Sequence, residues 1–180
     1  MRKVLISAAA ILVLVAAGSL TADEKKAADK PKPLSPPAHA EGMVAGKKIA
    51  IDYSAPSKRG RVIMGGLVPY GSVWRTGANA ATALHAGGDV RIGNLVVPAG
   101  DYTLYTVPGE KEWTLIVNKE TGQWGTEYDQ KQDLGRVTMK VAPVKDAVET
   151  FVIAIKPAGD GASLMLTWDN TEASVSLAKP

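Results

Sequence analysis

The chain contains no cysteine. That excludes disulfides, thiolate metal ligands, a cysteine nucleophile and lipid attachment through an N-terminal cysteine. Histidine is nearly as scarce, with only His39 and His85 in 180 residues. Neither has a second histidine at the i,i+2 spacing of a strand or the i,i+4 spacing of a helix, which argues against a histidine-built zinc site. His39 sits beside a linker, and His85, alone on a short strand pattern, reads as structural or exposed. There is no Gly-x-Ser-x-Gly elbow and no phosphate loop with its terminal Lys-Ser/Thr. No long, capped helical period follows the N-terminal region, so helical scaffolds drop out. The sequence calls for no cofactor and no metal.

The N-terminus is distinctive. Arg2 and Lys3 precede an apolar run from Val4 to Ala17, interrupted only by Ser7, and small residues follow. This is the layout of a secretory signal peptide over residues 1–22, with cleavage sites available after Ala17, Gly18 or Ala22. Extended to Leu20, the run is slightly short of the ~20 residues that cross a bilayer as a helix. The competing expectation is an uncleaved membrane anchor. The implied setting is periplasmic or secreted, with membrane contact only through this segment if it is retained. The formal net charge of +3 falls to +1 once Arg2 and Lys3 are removed. A near-neutral mature chain lacks the footprint of a nucleic-acid binder. Residues 23–37 are rich in Lys, Ala, Pro and acids, and read as a disordered linker.

Residues 38–180 suit a single domain. Ile49, Ile51 and Tyr53 alternate on one face, as do Trp113, Leu115 and Val117. So do Phe151, Ile153 and Ile155, then Leu164, Leu166 and Trp168, then Ala173, Val175 and Leu177. Val90 and Ile92, the pair Gly93-Asn94 and then Leu95 to Val97 form a hairpin signal. Asp169-Asn170 reads as a turn between two strands. About eight or nine short strands with turn signals between them predict an all-β fold, an antiparallel sandwich or barrel-like domain. Half-buried alternation argues against a parallel sheet.

Between the first strands lies the stretch from Asp52 to Thr82, which carries three arginines, two prolines, two tyrosines, a tryptophan and several glycines. An irregular connection of that length is uncommon in a compact domain and is usually functional. Lys58-Arg59-Gly60-Arg61 offers guanidinium forks for a phosphate, sulfate or carboxylate. A solvated surface turn is its plain alternative. In Trp74-Arg75-Thr76-Gly77-Ala78-Asn79, Arg75 can pair with an anion and Asn79 can donate and accept hydrogen bonds. Trp74 can stack on a ring. The structural alternative places Trp74 in the core, Arg75 against Asp52 or Asp101, and Asn79 in an Asx turn. Tyr70 lies in the same stretch. Trp124, with Gln123 and Tyr128, marks a second irregular segment that offers either an aromatic anchor or a plug over an open end.

Several of these segments together resemble a known family. They are Leu34-Ser35-Pro36, Asp52 to Pro56 with Lys58 to Arg61, Gly65 to Gly71, and above all Val73-Trp74-Arg75-Thr76-Gly77-Ala78-Asn79. Downstream come Pro98 to Tyr102, Pro108-Gly109, Trp113-Thr114 and Gln123-Trp124-Gly125. The chain is similar to the exported bacterial domain of unknown function 2911 family. The resemblance implies an extracytoplasmic, β-rich domain and names no reaction. Members often carry an acid after the asparagine. Ala80 stands there in this chain, and any catalysis that depends on that acid is lost with it.

Two function classes follow. One is an exported noncatalytic binding module for an anionic small molecule, a glycan or an envelope partner, with Arg59, Arg61, Tyr70, Trp74, Arg75, Asn79 and Trp124 as candidate ligand residues. The other is a hydrolase-type enzyme whose carboxylates, among Asp52, Asp89, Asp101, Glu127, Asp129 and Asp133, converge on folding. A purely structural envelope role is a third expectation. Glu127, Asp129 and Asp133 lack the rhythm of a calcium loop.

Overall fold

The structure, a computed structural model, describes residues 34–180. The expected signal peptide and most of the expected linker lie outside the described residues. At 34–37 the linker expectation overlaps with them, and there the chain is tied to the domain. Pro36 O accepts a hydrogen bond from Ala55 N at 2.8 Å, and the first strand begins at Pro37.

Nine strands form one antiparallel sheet: β1 (Pro37–Val44), β2 (Lys47–Ser54), β3 (Thr82–Ala86), β4 (Val90–Ile92), β5 (Leu95–Val97), β6 (Gly100–Val107), β7 (Glu112–Asn118), β8 (Asp133–Ala158) and β9 (Gly161–Ala178). Their order is β1-β2-β3-β6-β7-β8-β9-β4-β5, and the sheet is not closed. The one helical turn among the described residues is the 3-10 turn Gln130–Gln132. No helix among them is long and apolar enough to cross a membrane.

Alternation put the expected residues inside. Ile49, Ile51, Trp113, Leu115, Val117, Leu164, Leu166, Trp168, Ala173 and Leu177 are all buried in one core. The β4–β5 hairpin turns at Gly93-Asn94, with Gly93 at a positive φ of 58°, as a two-residue loop with glycine first requires. β6 departs from alternation: Tyr102 to Thr106 are all buried. Its second face is roofed by the segment before β8. There Tyr105 Oη donates to Glu127 O at 2.6 Å, and Thr103 Oγ1 donates to Glu120 O at 2.7 Å.

The strand plan changes at the C-terminus. Leu134–Val141 and Val148–Ile155 belong to one 26-residue strand, β8. Asp169-Asn170 does not turn the chain between strands; it lies inside the single strand β9. Asp169 adopts φ 52°, a left-handed geometry that aspartate tolerates better than most residues. Opposite it, the β8–β9 register shifts between Pro143 and Val152. An irregularity of this kind bends a strand pair and raises its twist without ending it. The bend curls β8 and β9 until the Cβ position at Gly161 lies 2.2 Å from Leu177 O, a contact only glycine permits.

Curling also brings β1 against β8, where Gly42 meets Ile155. The crossover between β2 and β3 bridges this seam. Phe151 N donates to Pro56 O at 2.9 Å and Lys58 N to Glu149 O at 2.7 Å. Tyr53 Oη accepts from Ile153 N at 3.0 Å. Further along, Trp74 exchanges two backbone hydrogen bonds with Thr106, at 2.7 and 2.9 Å. Both ends of the crossover are thereby stitched to strands.

Phe151 is fully buried and meets Tyr53, Trp74 and Trp168. Phe151→Ala is expected to destabilise the domain by about 3–5 kcal/mol through the lost burial and the cavity it leaves. Urea denaturation checks this: the midpoint should fall while the slope is unchanged.

Candidate functional site

The crossover folds around an indole. Trp74 stacks on Trp168 with ring centroids 5.9 Å apart and an interplanar angle of 18°. It meets Trp113 and Phe151 edge-on at 6.2 and 5.0 Å. Its Nε1 donates to Gly77 O at 3.2 Å, closing the loop on itself. The residues just after it take unusual backbone shapes: Thr76 has φ 56° and Asn79 φ 60°. For a β-branched residue such as Thr76 this is strained, typically by ~1–3 kcal/mol, and it persists only where the surroundings enforce it. Here Thr76 is fully buried, bonded through Oγ1 to Thr106 Oγ1 at 3.2 Å, and its carbonyl accepts from Thr82 Oγ1 at 2.8 Å.

Held this way, the crossover forms one side of a cleft of about 350 Å³. Arg59, Arg61, Trp74, Arg75 and Asn79 line it, and no aspartate or glutamate does. The arginines are not neutralised locally. Ion pairs among the described residues involve His39, Lys48, Lys58, His85 and Arg136, and none of the three cleft arginines. Arg61 donates to the carbonyls of Lys58 and Ser57, at 3.0 and 2.6 Å. The Arg59 guanidinium reaches Leu34 O. Glu149 is taken up by the backbone N–H of Arg59 at 2.8 Å, while Lys58 pairs with Asp169 at 2.5 Å.

Arg75 is the exceptional member. Its Nε is buried and has no hydrogen-bond partner. The side chain lies against Gly125, where a Cβ would stand 2.0 Å from Arg75 Cδ and 2.5 Å from Asn79 O. Asn79 Nδ2 makes only long contacts, 3.3 Å to Ser54 Oγ and 3.5 Å to Ser35 O. The structural alternative for Arg75 is therefore corrected, because Asp52 and Asp101 are occupied by histidines. That alternative holds better for Trp74, which is packed against the core and also lines the cleft.

Tyr70 and Trp124 stand outside the cleft. Tyr70 is exposed, with its ring over Gly65. Trp124 is also exposed, in a bridge opposite Ala80. Its neighbours are structural: Gln123 Nε2 donates to Tyr105 Oη at 3.0 Å, and Tyr128 Oη to Asp133 at 2.8 Å. Burial, and then the Asp133 carboxylate, push the Tyr128 hydroxyl up to about 12. The candidate carboxylates do not gather at the cleft. Asp89 accepts from Ala99 N, Asp129 from Lys131 N, and Asp133 from Tyr128, Asn118 and Arg136. Residues that sequence reasoning missed also line the cleft: Leu34, Ser57, Leu67 and Trp168. Two larger furrows, of about 680 and 660 Å³, each contain an aspartate, Asp160 and Asp89 respectively.

Both histidines prove to be neighbours in one polar array. Strand register sets His39 opposite Asp52 and His85 opposite Asp101. His39 Nδ1 donates to Asp52 at 2.7 Å and its Nε2 faces Glu41 at 3.1 Å. His85 contacts Asp101 at 2.7 Å and Asp52 at 3.1 Å. No group of three such side chains among the described residues is arranged to hold a metal ion.

The cleft and the fold around it have a family. Residues 35–177 match the family described as Protein of unknown function (DUF2911). The chain belongs to this family. No curated protein and no solved structure matches it. The DUF2911 match begins two residues before β1 and ends one residue before the end of β9, so the whole crossover and all nine strands fall essentially within it.

Two outcomes follow. Hydrogen bonds to Asp52 and then Glu41 raise the His39 pKa above 6.5, and the bond to His39 lowers that of Asp52 below 3.8. His39 therefore adds stability in full below pH 6.5, and this is lost as pH rises through its raised folded value. Asp52 adds stability above pH 3.8, lost as pH falls through its lowered folded value. An NMR titration should place His39 above 6.5, and Asp52→Asn should bring it back down. Second, Gly125→Ala is expected to cost about 1–3 kcal/mol through crowding against Arg75 and the Asn79 carbonyl, read as a lower urea midpoint.

Proposed function

We propose that this chain is an extracytoplasmic binding module that captures an anionic ligand in the arginine cleft. One observation carries the reading: three arginines line a single cleft without a carboxylate, and one of them, Arg75, has a buried Nε with no partner. A buried donor left unsatisfied is costly, by ~1–3 kcal/mol and more when the group is charged. Such a group is the exception in folded proteins and asks for a partner. An oxyanion with several acceptor oxygens supplies partners to guanidinium groups lining the cleft, whose forks match phosphate, sulfate or carboxylate geometry. The cleft volume lies near the lower end of small-ligand cavities, ~300–1,000 Å³, which favours a small molecule over a polymer.

The extracytoplasmic setting is supported by the basic residues and apolar run at the N-terminus. Binding is favoured over carboxylate-pair hydrolysis because no acid lines the cleft.

A thermal-shift series with phosphate, sulfate and small carboxylates, at ionic strength matched with chloride, tests the reading. A ligand at a hundredfold excess over its Kd stabilises by about 2.7 kcal/mol. The parent should show this, and Arg75→Ala, verified as folded by circular dichroism, should not. If Arg75→Ala does not fold, the exposed Arg61→Ala takes its place. Equal stabilisation of parent and folded variant rejects the assignment.

A further inference from the structure

The cleft holds more than cations. Its lining includes two indoles, Trp74 and the fully buried Trp168, stacked on one another. It also includes Leu34 and Leu67, which are 72% and 47% exposed. Val62, 72% exposed, stands next to Arg61 in the chain. Single exposed apolar residues are ordinary, but apolar surface gathered at a cleft marks a binding site. A bare inorganic anion uses the arginines and gains nothing from these side chains. An anion joined to a compact apolar group uses both. Its charged end meets Arg59, Arg61 and Arg75, while its body removes leucine and indole surface from water.

Resting on the anion-binding reading above, we infer that the cleft selects amphiphilic anions: a phosphate, sulfate or carboxylate carried on a compact, ring-sized apolar body. The occupant is a soluble small molecule. A volume of about 350 Å³ accommodates one headgroup and one ring, and Trp74, packed against the core beneath the crossover, forms a fixed floor.

Isothermal titration of the full chain with inorganic phosphate and with phenyl phosphate, at one ionic strength, tests this. The expected result is a Kd for phenyl phosphate about tenfold lower than for phosphate, the effect of burying part of one aromatic ring. In the double variant Leu34→Ser, Leu67→Ser the ratio of the two Kd values should fall towards one. Both side chains are solvent-exposed, so the fold is not at stake. Equal Kd values in the parent overturn the amphiphile assignment and leave anion binding standing. Binding of neither probe, or equal binding by folded Arg75→Ala, overturns both. Sedimentation with phosphatidylglycerol vesicles, together with no preference for phenyl phosphate, overturns the small-molecule assignment in favour of a lipid surface.

Discussion

The packing of one indole holds the site together. Trp74 lies in the last third of a connection of more than twenty residues that has no strand of its own. Left free, such a loop would carry a large conformational entropy and hold nothing in place. Trp74 removes that freedom by three means at once. Its ring enters an aromatic cluster with Trp113, Phe151 and Trp168. Its backbone pairs with Thr106, and its Nε1 closes the following turn onto Gly77. The left-handed residues Thr76 and Asn79 follow directly, and the strain at Thr76 is sustained by Trp74 before it, Thr106 beside it and Thr82, whose hydroxyl holds its carbonyl.

Openness in the sheet is the second element of the design. Nine antiparallel strands curl far enough to bring β1 to β8 but do not hydrogen-bond across that gap. The crossover fills it, pairing at Ser57 with Thr150. Exposed backbone at a seam invites unwanted strand pairing, and here it is covered by the same segment that carries Arg59 and Arg61. Covering the seam and presenting cations are therefore one structural act.

Charge is distributed in two contrasting ways. On β1, β2, β3 and β6 every histidine finds carboxylates, and Asp52 is shared between His39 and His85. Around the cleft the three arginines have no ion-paired acid among the described residues, although Asp169 and Glu149 lie close enough to engage Lys58 and the Arg59 backbone. Surface pairs add little to stability. What distinguishes the two regions is that in the first the cations meet carboxylates, while in the second Arg59 and Arg61 meet only backbone carbonyls and Arg75 Nε meets nothing.

The fold class and most of the core were legible in the amino-acid order, because strand alternation has a period of two and burial follows from it directly. The β4–β5 hairpin was legible for a local reason too, in the turn chemistry of Gly93-Asn94. Residues Val73 to Asn79 announced both the family and the location of the cleft. Other features depended on chain separation. The bend inside β9 looked like a turn because Asp169-Asn170 is a turn pair locally, and only the opposing irregularity in β8 makes it a bend. His39 and His85 looked isolated because they are 46 positions apart, and antiparallel register through Asp52 unites them. Leu34, Leu67 and Trp168 joined the cleft for the same reason. A sequence fixes which side of a strand each residue takes; which distant residues share a cavity is decided by how the whole sheet curls, and that sums the twist of every strand pair.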